Sequence, residues 1–163
     1  MRKKLGYLVI ICLLSCFFIG CGAKKVPIGT VTLSIRCDTA IAKGMHEEEK
    51  WKGILPENGC ILDDTTIEIY KGDTVFDVLL TARDEYGIHM EYSGGDKTEY
   101  IKGIGNLYER DGGRWSGWMF SVNGEYGDVG CGQVKVGDGD IIEWDYTCDL
   151  GVDLESSSTV STE

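Results

Sequence analysis

The side chains that could do chemistry are few and widely spaced in this chain of 163 residues. His46 and His89 are its two histidines, and neither stands in a Ser/His or Cys/His arrangement that would supply a general base for acyl or phosphoryl transfer. Gly103 and Gly105 lie in an irregular segment that does not lead from a strand into a helix, so they do not form a nucleotide fingerprint. The sequence therefore predicts that the protein is not an enzyme and needs no catalytic cofactor.

Aromatic residues are the remaining signal of recognition. Four of them alternate along strand-like segments, which is the pattern of core residues: Trp118, Phe120, Trp144 and Tyr146. Trp115 differs, because it stands among glycines with little strand context to bury it. Exposed rings of this kind often mark recognition surfaces, so we predict Trp115 to be a ligand contact, with simple packing as the alternative.

The first 20 residues have the three parts of a secretion signal. Basic residues 2–4 precede an uncharged, largely apolar run over residues 5–19, and small residues follow around Cys21. The run is about 15 residues long, whereas a spanning helix needs about 20. Cleavage after export is therefore favoured over a permanent anchor.

The end of this signal resembles the lipobox of bacterial lipoproteins, in which a cysteine is lipidated and becomes the new N-terminus. Gly20 precedes Cys21 as a small residue should, although leucine usually stands at the position of Phe18. Cys16 is a competing lipidation site, but cleavage there would leave a short apolar core. We expect a palmitate-type lipid on Cys21 that anchors an extracellular domain to the outer face of the cell membrane.

The chain that would remain after cleavage is strongly acidic. Removing residues 1–20 takes away three basic residues and no acidic residue, so the formal net charge falls from −11 to −14. Such a charge repels phosphate backbones. We therefore expect no nucleic-acid partner.

The remaining cysteines and the acidic turns do not form a metal-site pattern. The turn containing Asp138 and Asp140 lacks the further ligands of a calcium loop. Four cysteines follow the lipidation site: Cys37, Cys60, Cys131 and Cys148. None of their spacings is Cys-x-x-Cys, so a zinc site is not expected. An even number of cysteines in an exported chain instead predicts two disulfides.

The apolar pattern predicts an α+β fold in which one helix crosses a mixed sheet. Thr74 and Asp77 match a capping box that begins a helix over about residues 74–86, and Gly87 ends it. Asn123 and Gly124 predict a type I′ hairpin turn. Period-2 alternation or short apolar runs predict strands over residues 31–37, 61–70, 88–92, 118–122, 133–136 and 141–148. Residues 38–59 and 93–114 are predicted to be irregular.

Three sequence blocks carry a family resemblance: IEIYKGDTVFDVLL over residues 67–80, SGWMFSVNG over 116–124, and VGDGDIIEW over 136–144. Together they resemble the transcobalamin C-terminal-like domain family, which has a β-grasp fold and occurs in surface lipoproteins of Gram-positive bacteria. The secretion pattern predicts a signal peptide (1–20) followed by a lipidated N-terminus and spacer (21–30), and the resemblance implies a β-grasp domain (31–150). The Ser/Thr/acid-rich composition of residues 151–163 predicts a disordered tail. In transcobalamin the resembling domain caps one face of cobalamin.

The resemblance also implies a disulfide scheme. In a β-grasp fold the first and last strands are parallel neighbours, and here each ends in a cysteine. We therefore expect Cys37 to bond to Cys148, which leaves Cys60 for Cys131.

Two functions follow as hypotheses. The first is a non-catalytic surface module that binds cobalamin, another corrinoid or a similar small ligand, together with a transporter or surface-protein partner. Its contacts would be Trp115 on a mobile, glycine-rich loop, with Tyr108 and Tyr126 as further candidates. The second is a structural or protein-interaction domain of the cell envelope that has no small ligand.

Overall fold

The computed structural model describes residues 25–155 of the chain. The predicted signal peptide, both candidate lipidation sites and residues 156–163 lie outside the described residues. Within residues 25–155, no helix has the length and apolar composition needed to cross a membrane.

The described residues form eight strands, three short or medium helices and one 3-10 turn. The strands are β1 (Gly29–Arg36), β2 (Cys60–Ile69), β3 (Met90–Ser93), β4 (Tyr100–Ile104), β5 (Leu107–Tyr108), β6 (Gly117–Val122), β7 (Glu125–Tyr126) and β8 (Ile141–Thr147). The helices are α1 (Asp38–Ala42), α2 (Val75–Tyr86) and α3 (Val152–Glu155), and the 3-10 turn is Met45–Glu47.

The main sheet has five strands in the order β2-β1-β8-β6-β7. Its centre is the parallel pair of β1 and β8, in which Leu33 lies beside Ile142, and the other neighbours are antiparallel. A second sheet has the order β3-β4-β5. The predicted α+β class and the parallel pairing of the first and last strands are confirmed.

Period-2 alternation gives the main sheet one apolar and one polar face. Val31, Leu33 and Ile35 of β1 are almost completely buried, and α2 packs its own apolar stripe into the same core. Because this stripe recurs at helical spacing, one side of α2 faces the core and the other faces solvent.

The ends of α2 are those that the sequence predicts. Thr74 Oγ1 accepts a hydrogen bond from the backbone N–H of Asp77, and Asp77 Oδ2 accepts one from the N–H of Thr74 at 2.8 Å, which completes the capping box. Gly87 ends the helix with φ of 66°, a left-handed conformation that glycine adopts at little cost.

Three sequence predictions are corrected within the domain. The segment predicted to be irregular over residues 93–114 forms β4 and β5, since Ile101, Ile104 and Leu107 are buried. The predicted strand over residues 133–136 is reduced to one bridge between Lys135 and Thr74. The polar segment over residues 38–59 contains α1, the 3-10 turn and buried side chains that build a second small core.

The C-terminal boundary is also corrected. Four residues of the tail predicted to be disordered form α3, and Leu154 in it is buried. Asp153 Oδ2 accepts the backbone N–H of Cys148 at 2.7 Å, which ties α3 to the end of β8. A short acidic segment is therefore ordered by contacts that its composition does not reveal.

The four cysteines of the described residues are free thiols, so neither predicted disulfide is formed in this structure. Cys60 and Cys131 lie apart: Cys60 pairs with Arg36 at the end of β1, while Cys131 belongs to the main core. Burial, with a smaller contribution from Asp38, raises the pKa of the Cys37 thiol to about 12. Burial likewise raises the pKa of Cys131 to about 11.

Candidate ligand-binding cleft

A cleft opens beside β6 and β8 on the apolar face of the main sheet. Its other walls are β4 and the loop over residues 127–131, and its volume is about 240 Å³. Four aromatic rings line it: Tyr100, Trp118, Phe120 and Trp144. We call this feature the aromatic cleft.

The register of β6 and β8 positions these rings. Phe120 lies directly opposite Trp144, and their ring centroids are 5.2 Å apart. Trp118 lies opposite Tyr146 in a T-shaped contact of 5.3 Å. The alternation that sequence analysis assigns to the core therefore continues to the edge of the sheet, where Trp118 and Phe120 are only partly buried.

Two residues that line the aromatic cleft each carry a buried polar atom without a hydrogen-bond partner in the part of the chain that the structure describes. One atom is the indole Nε1 of Trp144, a residue that is 2% exposed, and the other is Oε2 of Glu99. Leaving such a group unpaired costs about 1–3 kcal/mol. Both atoms are closed off from solvent, so the open space of the cleft does not reach them.

Glu99 is held in place by the turn that precedes β4 and by a glycine. Its Oε1 accepts the backbone N–H of Lys97 at 3.2 Å. Its Oε2 rests against Gly132, where an added Cβ would lie only 1.8 Å away. The carboxylate thus occupies the space that any larger residue at position 132 would fill.

Trp115 lies at a second cavity of about 280 Å³ that adjoins the first, because Tyr100 and Trp118 line both. Its side chain is 48% exposed, as expected for a recognition residue. The Arg114 guanidinium carbon lies 4.4 Å from the centre of the Trp115 ring, within cation–π range. The ring is therefore positioned beside the aromatic cleft and open to solvent.

The loop that carries Trp115 is not the mobile segment that the sequence predicts, because hydrogen bonds tie it to neighbouring elements. The hydroxyl of the fully buried Tyr146 accepts the backbone N–H of Gly112 at 2.9 Å and lies 2.8 Å from the carbonyl oxygen of Tyr108. Burial raises the pKa of Tyr146 to about 12. Lys43 Nζ donates to the Gly112 carbonyl, and Leu150 N–H donates to that of Trp115 at 3.0 Å.

The other two predicted contacts lie away from the aromatic cleft. The Tyr108 ring covers Gly103, and its hydroxyl is hydrogen-bonded to His89 Nε2 at 2.7 Å. Tyr126 pairs with Ser121 and so shares the polar face of the main sheet, where its hydroxyl donates to Asp145 Oδ2 at 2.8 Å. Burial raises the pKa of Tyr126 and of Asp145.

Sequence analysis missed Glu99 and treated Trp144 as a core residue only. No local signal marks Glu99, because the glycine that accommodates it is distant in sequence. Trp144 is indeed buried, and only the tertiary structure shows that it also lines a cavity. No group of three or more His, Cys, Asp or Glu side chains within residues 25–155 is arranged to hold a metal ion.

This chain resembles known proteins in part of its sequence and in its fold. Residues 72–148 match a family described as a domain of unknown function (DUF4430). Haptocorrin in complex with Cbi is similar in structure, with a TM-score of 0.51 and 18% identity over 75% of this chain. The chain has a transcobalamin-like fold.

This fold corresponds to one part of the larger relative, since the alignment covers 25% of the haptocorrin chain. A candidate metal-binding protein from Ruminococcus gnavus ATCC 29149 also aligns, with a TM-score of 0.42 and 14% identity over 73% of this chain and 96% of that chain. No curated protein matches the sequence.

Proposed function

We propose that the protein is a non-catalytic lipoprotein of the cell surface whose domain binds a small ligand in the aromatic cleft. A corrinoid such as cobalamin is the first ligand to test. The observation that carries the proposal is the cleft itself, which four aromatic rings line together with the acidic residues Glu99 and Asp128. Ligand sites typically combine an apolar lining with a few polar groups of this kind.

The fold supports a corrinoid as the first choice. Haptocorrin, whose structure contains the corrinoid Cbi, shares this fold. The adjoining position of Trp115 adds a further exposed ring on which a flat ligand could rest.

The size of the site sets the expected affinity. The two adjoining cavities, about 240 and 280 Å³, lie below the ~300–1,000 Å³ of typical ligand pockets. They would therefore hold an edge of a corrinoid and leave the rest in solvent. We expect a Kd on the order of micromolar or weaker, and a transporter or surface-protein partner would cover the other face.

The charged residues that line the cleft also favour some classes of ligand over others. Glu99 and Asp128 line the aromatic cleft, and no lysine or arginine joins them among the residues that the structure describes there. The aromatic cleft itself should therefore disfavour anionic groups, whereas Arg110 and Arg114 at the adjoining cavity beside Trp115 could accept one.

The binding experiment compares two exposed aromatic residues. Cobalamin is titrated against the wild type, Trp115→Ala and Tyr86→Ala, with tryptophan fluorescence corrected for cobalamin absorbance and with calorimetry. Tyr86 is as exposed as Trp115, 49% against 48%, but lies at the far end of α2. We expect Trp115→Ala to weaken binding at least tenfold and Tyr86→Ala to leave it unchanged. If no variant binds any corrinoid at millimolar concentration, the domain is an envelope-interaction module instead.

The lipoprotein part of the proposal has its own test. In a bacterial host that processes lipoproteins, Cys21→Ala should accumulate as unprocessed precursor, while Cys16→Ala should mature normally. The reverse result would move lipidation to Cys16. Normal maturation of both variants would refute a lipid anchor at either cysteine.

A further inference from the structure

Two exposed arginines, Arg110 and Arg114, line the cavity that adjoins the aromatic cleft. Neither guanidinium forms an ion pair with a carboxylate of the described residues, where the ion pairs use other cations. This is notable because the chain has 27 acidic residues and only 16 lysines and arginines. Both positive charges are therefore available to an anion from outside the protein.

Arg114 is held beside the exposed ring of Trp115. Its guanidinium carbon lies 4.4 Å from the centre of that ring. A cation–π contact of this kind uses none of the five N–H donors of a guanidinium, so these donors remain free to bind an anion. Because Trp115 is 48% exposed, it offers apolar surface next to the same donors. A flat ring and a cation thus lie side by side at one cavity.

Arg110 has a backbone conformation that arginine rarely adopts. Its φ is 68°, in the left-handed region, where asparagine or glycine would fit more readily. Burial raises the pKa of Tyr100 to about 12, and the positive charge of Arg110 opposes that rise. The charge of Arg110 therefore acts on a hydroxyl that lines the same cavity. A costly conformation that presents a charged side chain to a cavity points to a role in binding.

The two adjoining cavities differ in the sign of their charge. Among the described residues that line the cavity beside Trp115, one is acidic: Glu109, whose Oε2 already accepts the Tyr100 hydroxyl at 2.7 Å. Two arginines oppose this single carboxylate. The aromatic cleft is instead lined by Glu99 and Asp128. An anionic group is therefore attracted to the cavity beside Trp115 and repelled by the cleft.

We propose that the cavity beside Trp115 binds an anionic group of the ligand, such as a sulfonate, carboxylate or phosphate, attached to a flat apolar ring system. The ring system lies on Trp115 and Arg114 binds the anionic group. The charge of Arg110 adds attraction without having to contact the same oxygen atoms. This inference deepens the proposed function and rests on it, because the two cavities share Tyr100 and Trp118 and so offer one ligand a continuous surface.

The experiment follows the indole N–H signals of the ¹⁵N-labelled protein by NMR. The chain has four tryptophans, and Trp115→Phe identifies the signal of Trp115. Because that residue is exposed, the variant should fold like wild type. Three probes are titrated: naphthalene-2-sulfonate, the neutral naphthalene-2-sulfonamide and inorganic sulfate. The sulfonamide has the same rings without the charge, and sulfate has the charge without the rings.

We expect the sulfonate to shift the Trp115 signal and to bind at least fivefold more tightly than the sulfonamide. Sulfate alone should bind more weakly than the sulfonate, because it gains nothing from the ring. Adding NaCl should reduce the preference for the sulfonate over the sulfonamide, since salt screens exposed charges.

Variants test each arginine separately. Arg114→Gln should abolish the preference for the sulfonate, and Arg110→Asn should reduce it at least twofold. Arg110→Asn should not lower the free energy of unfolding, because asparagine tolerates a left-handed backbone, so its effect on binding is separate from folding. Lys71→Gln is the matched control. It removes one positive charge from the exposed turn after β2, at the opposite end of the main sheet, and should keep the preference.

Three results would overturn the inference: equal binding of the sulfonate and the sulfonamide, a Trp115 signal that the sulfonate leaves unshifted, or an unchanged preference in both arginine variants. These outcomes are separate from the corrinoid titration. Selective sulfonate binding without corrinoid binding would refute the corrinoid but keep the anion site. Corrinoid binding without sulfonate selectivity would keep the proposed function and refute this inference.

Discussion

The hydroxyl oxygen of Tyr146 lies 2.9 Å from the backbone nitrogen of Gly112 and accepts its hydrogen bond. This contact joins β8 to the loop that carries Trp115. No side chain fits at position 112, because an added Cβ would lie 2.8 Å from Cys148 Sγ and 3.0 Å from the Tyr146 ring. The exposed ring of Trp115 is thus positioned by a buried hydroxyl.

Removing that hydroxyl should destabilise the domain. Tyr146→Phe removes the buried hydrogen bonds of this hydroxyl, but the Gly112 N–H still donates to Ser116 Oγ at 3.0 Å, so we expect the free energy of unfolding to fall by about 0.5–1.5 kcal/mol. Urea unfolding at 25 °C measures the change. Tyr70→Phe is the control, because the Tyr70 hydroxyl makes an exposed contact with Glu68 at 3.3 Å and its loss should change the free energy by less than about 0.5 kcal/mol. Equal losses in the two variants would contradict the role of Tyr146.

The capping box of α2 should stabilise the domain measurably. Thr74→Ala removes the hydroxyl that accepts the Asp77 N–H, and we expect a loss of about 1 kcal/mol. Thr81→Ala removes a hydroxyl from the same helix that donates to the Asp77 carbonyl at 3.0 Å and caps nothing. Because alanine favours helix interiors, the control should be neutral or slightly stabilising. Thermal unfolding of both variants against wild type is the measurement, and a loss in Thr81→Ala as large as in Thr74→Ala would refute the cap.

Asp145 should make stability depend on pH. Burial, followed by the nearby charge of Glu143, raises the pKa of Asp145 above its ordinary 3.8. The folded state therefore holds this proton to higher pH than the unfolded chain. The stabilisation that comes from protonated Asp145 is complete below the pKa that this carboxyl has in the unfolded chain. It is lost as the pH rises through the pKa that the carboxyl has in the folded protein.

Asp145→Asn should remove that dependence, so the free energy of unfolding above about pH 4 should fall less steeply with pH than in wild type. Urea unfolding at pH values from 4 to 8 measures the slope. Asp96→Asn in an exposed turn serves as the control, since asparagine tolerates the φ of 52° found there. A steeper fall in Asp145→Asn than in wild type would show that the pKa of Asp145 is lowered and not raised.

We expect Gly132 to affect ligand binding in the cleft, because it leaves room for the Glu99 carboxylate. In Gly132→Ala the new Cβ would displace the Glu99 carboxylate, the movable end of a side chain, so we expect a small change in stability but at least fivefold weaker cobalamin binding. Gly95→Ala is the control, because Gly95 does not line the cleft and an added Cβ there meets no atom of the described structure within 4 Å. It should bind cobalamin like wild type. Unchanged binding in Gly132→Ala would refute the positioning of Glu99 by this glycine.

Local patterns in the sequence determined the elements whose residues interact with near neighbours. The capping box at Thr74, the hairpin at Asn123 and Gly124, and the alternation in β1 and β6 involve residues only a few positions apart, and the structure contains each of them. The family resemblance added the parallel pairing of β1 with β8. The sequence also predicted that Trp115 is exposed, because no strand pattern surrounds it.

Tertiary structure decided the rest, because it depends on residues far apart in sequence. The order in residues 93–114 comes from burial of Ile101, Ile104 and Leu107 against other segments, and the short helix α3 comes from a bond between Asp153 and Cys148. Glu99 reaches the aromatic cleft only because Gly132 leaves room for it. Periodicity tells which residues are buried, but it does not tell which buried polar atom lacks a partner, since that depends on every segment packed around it.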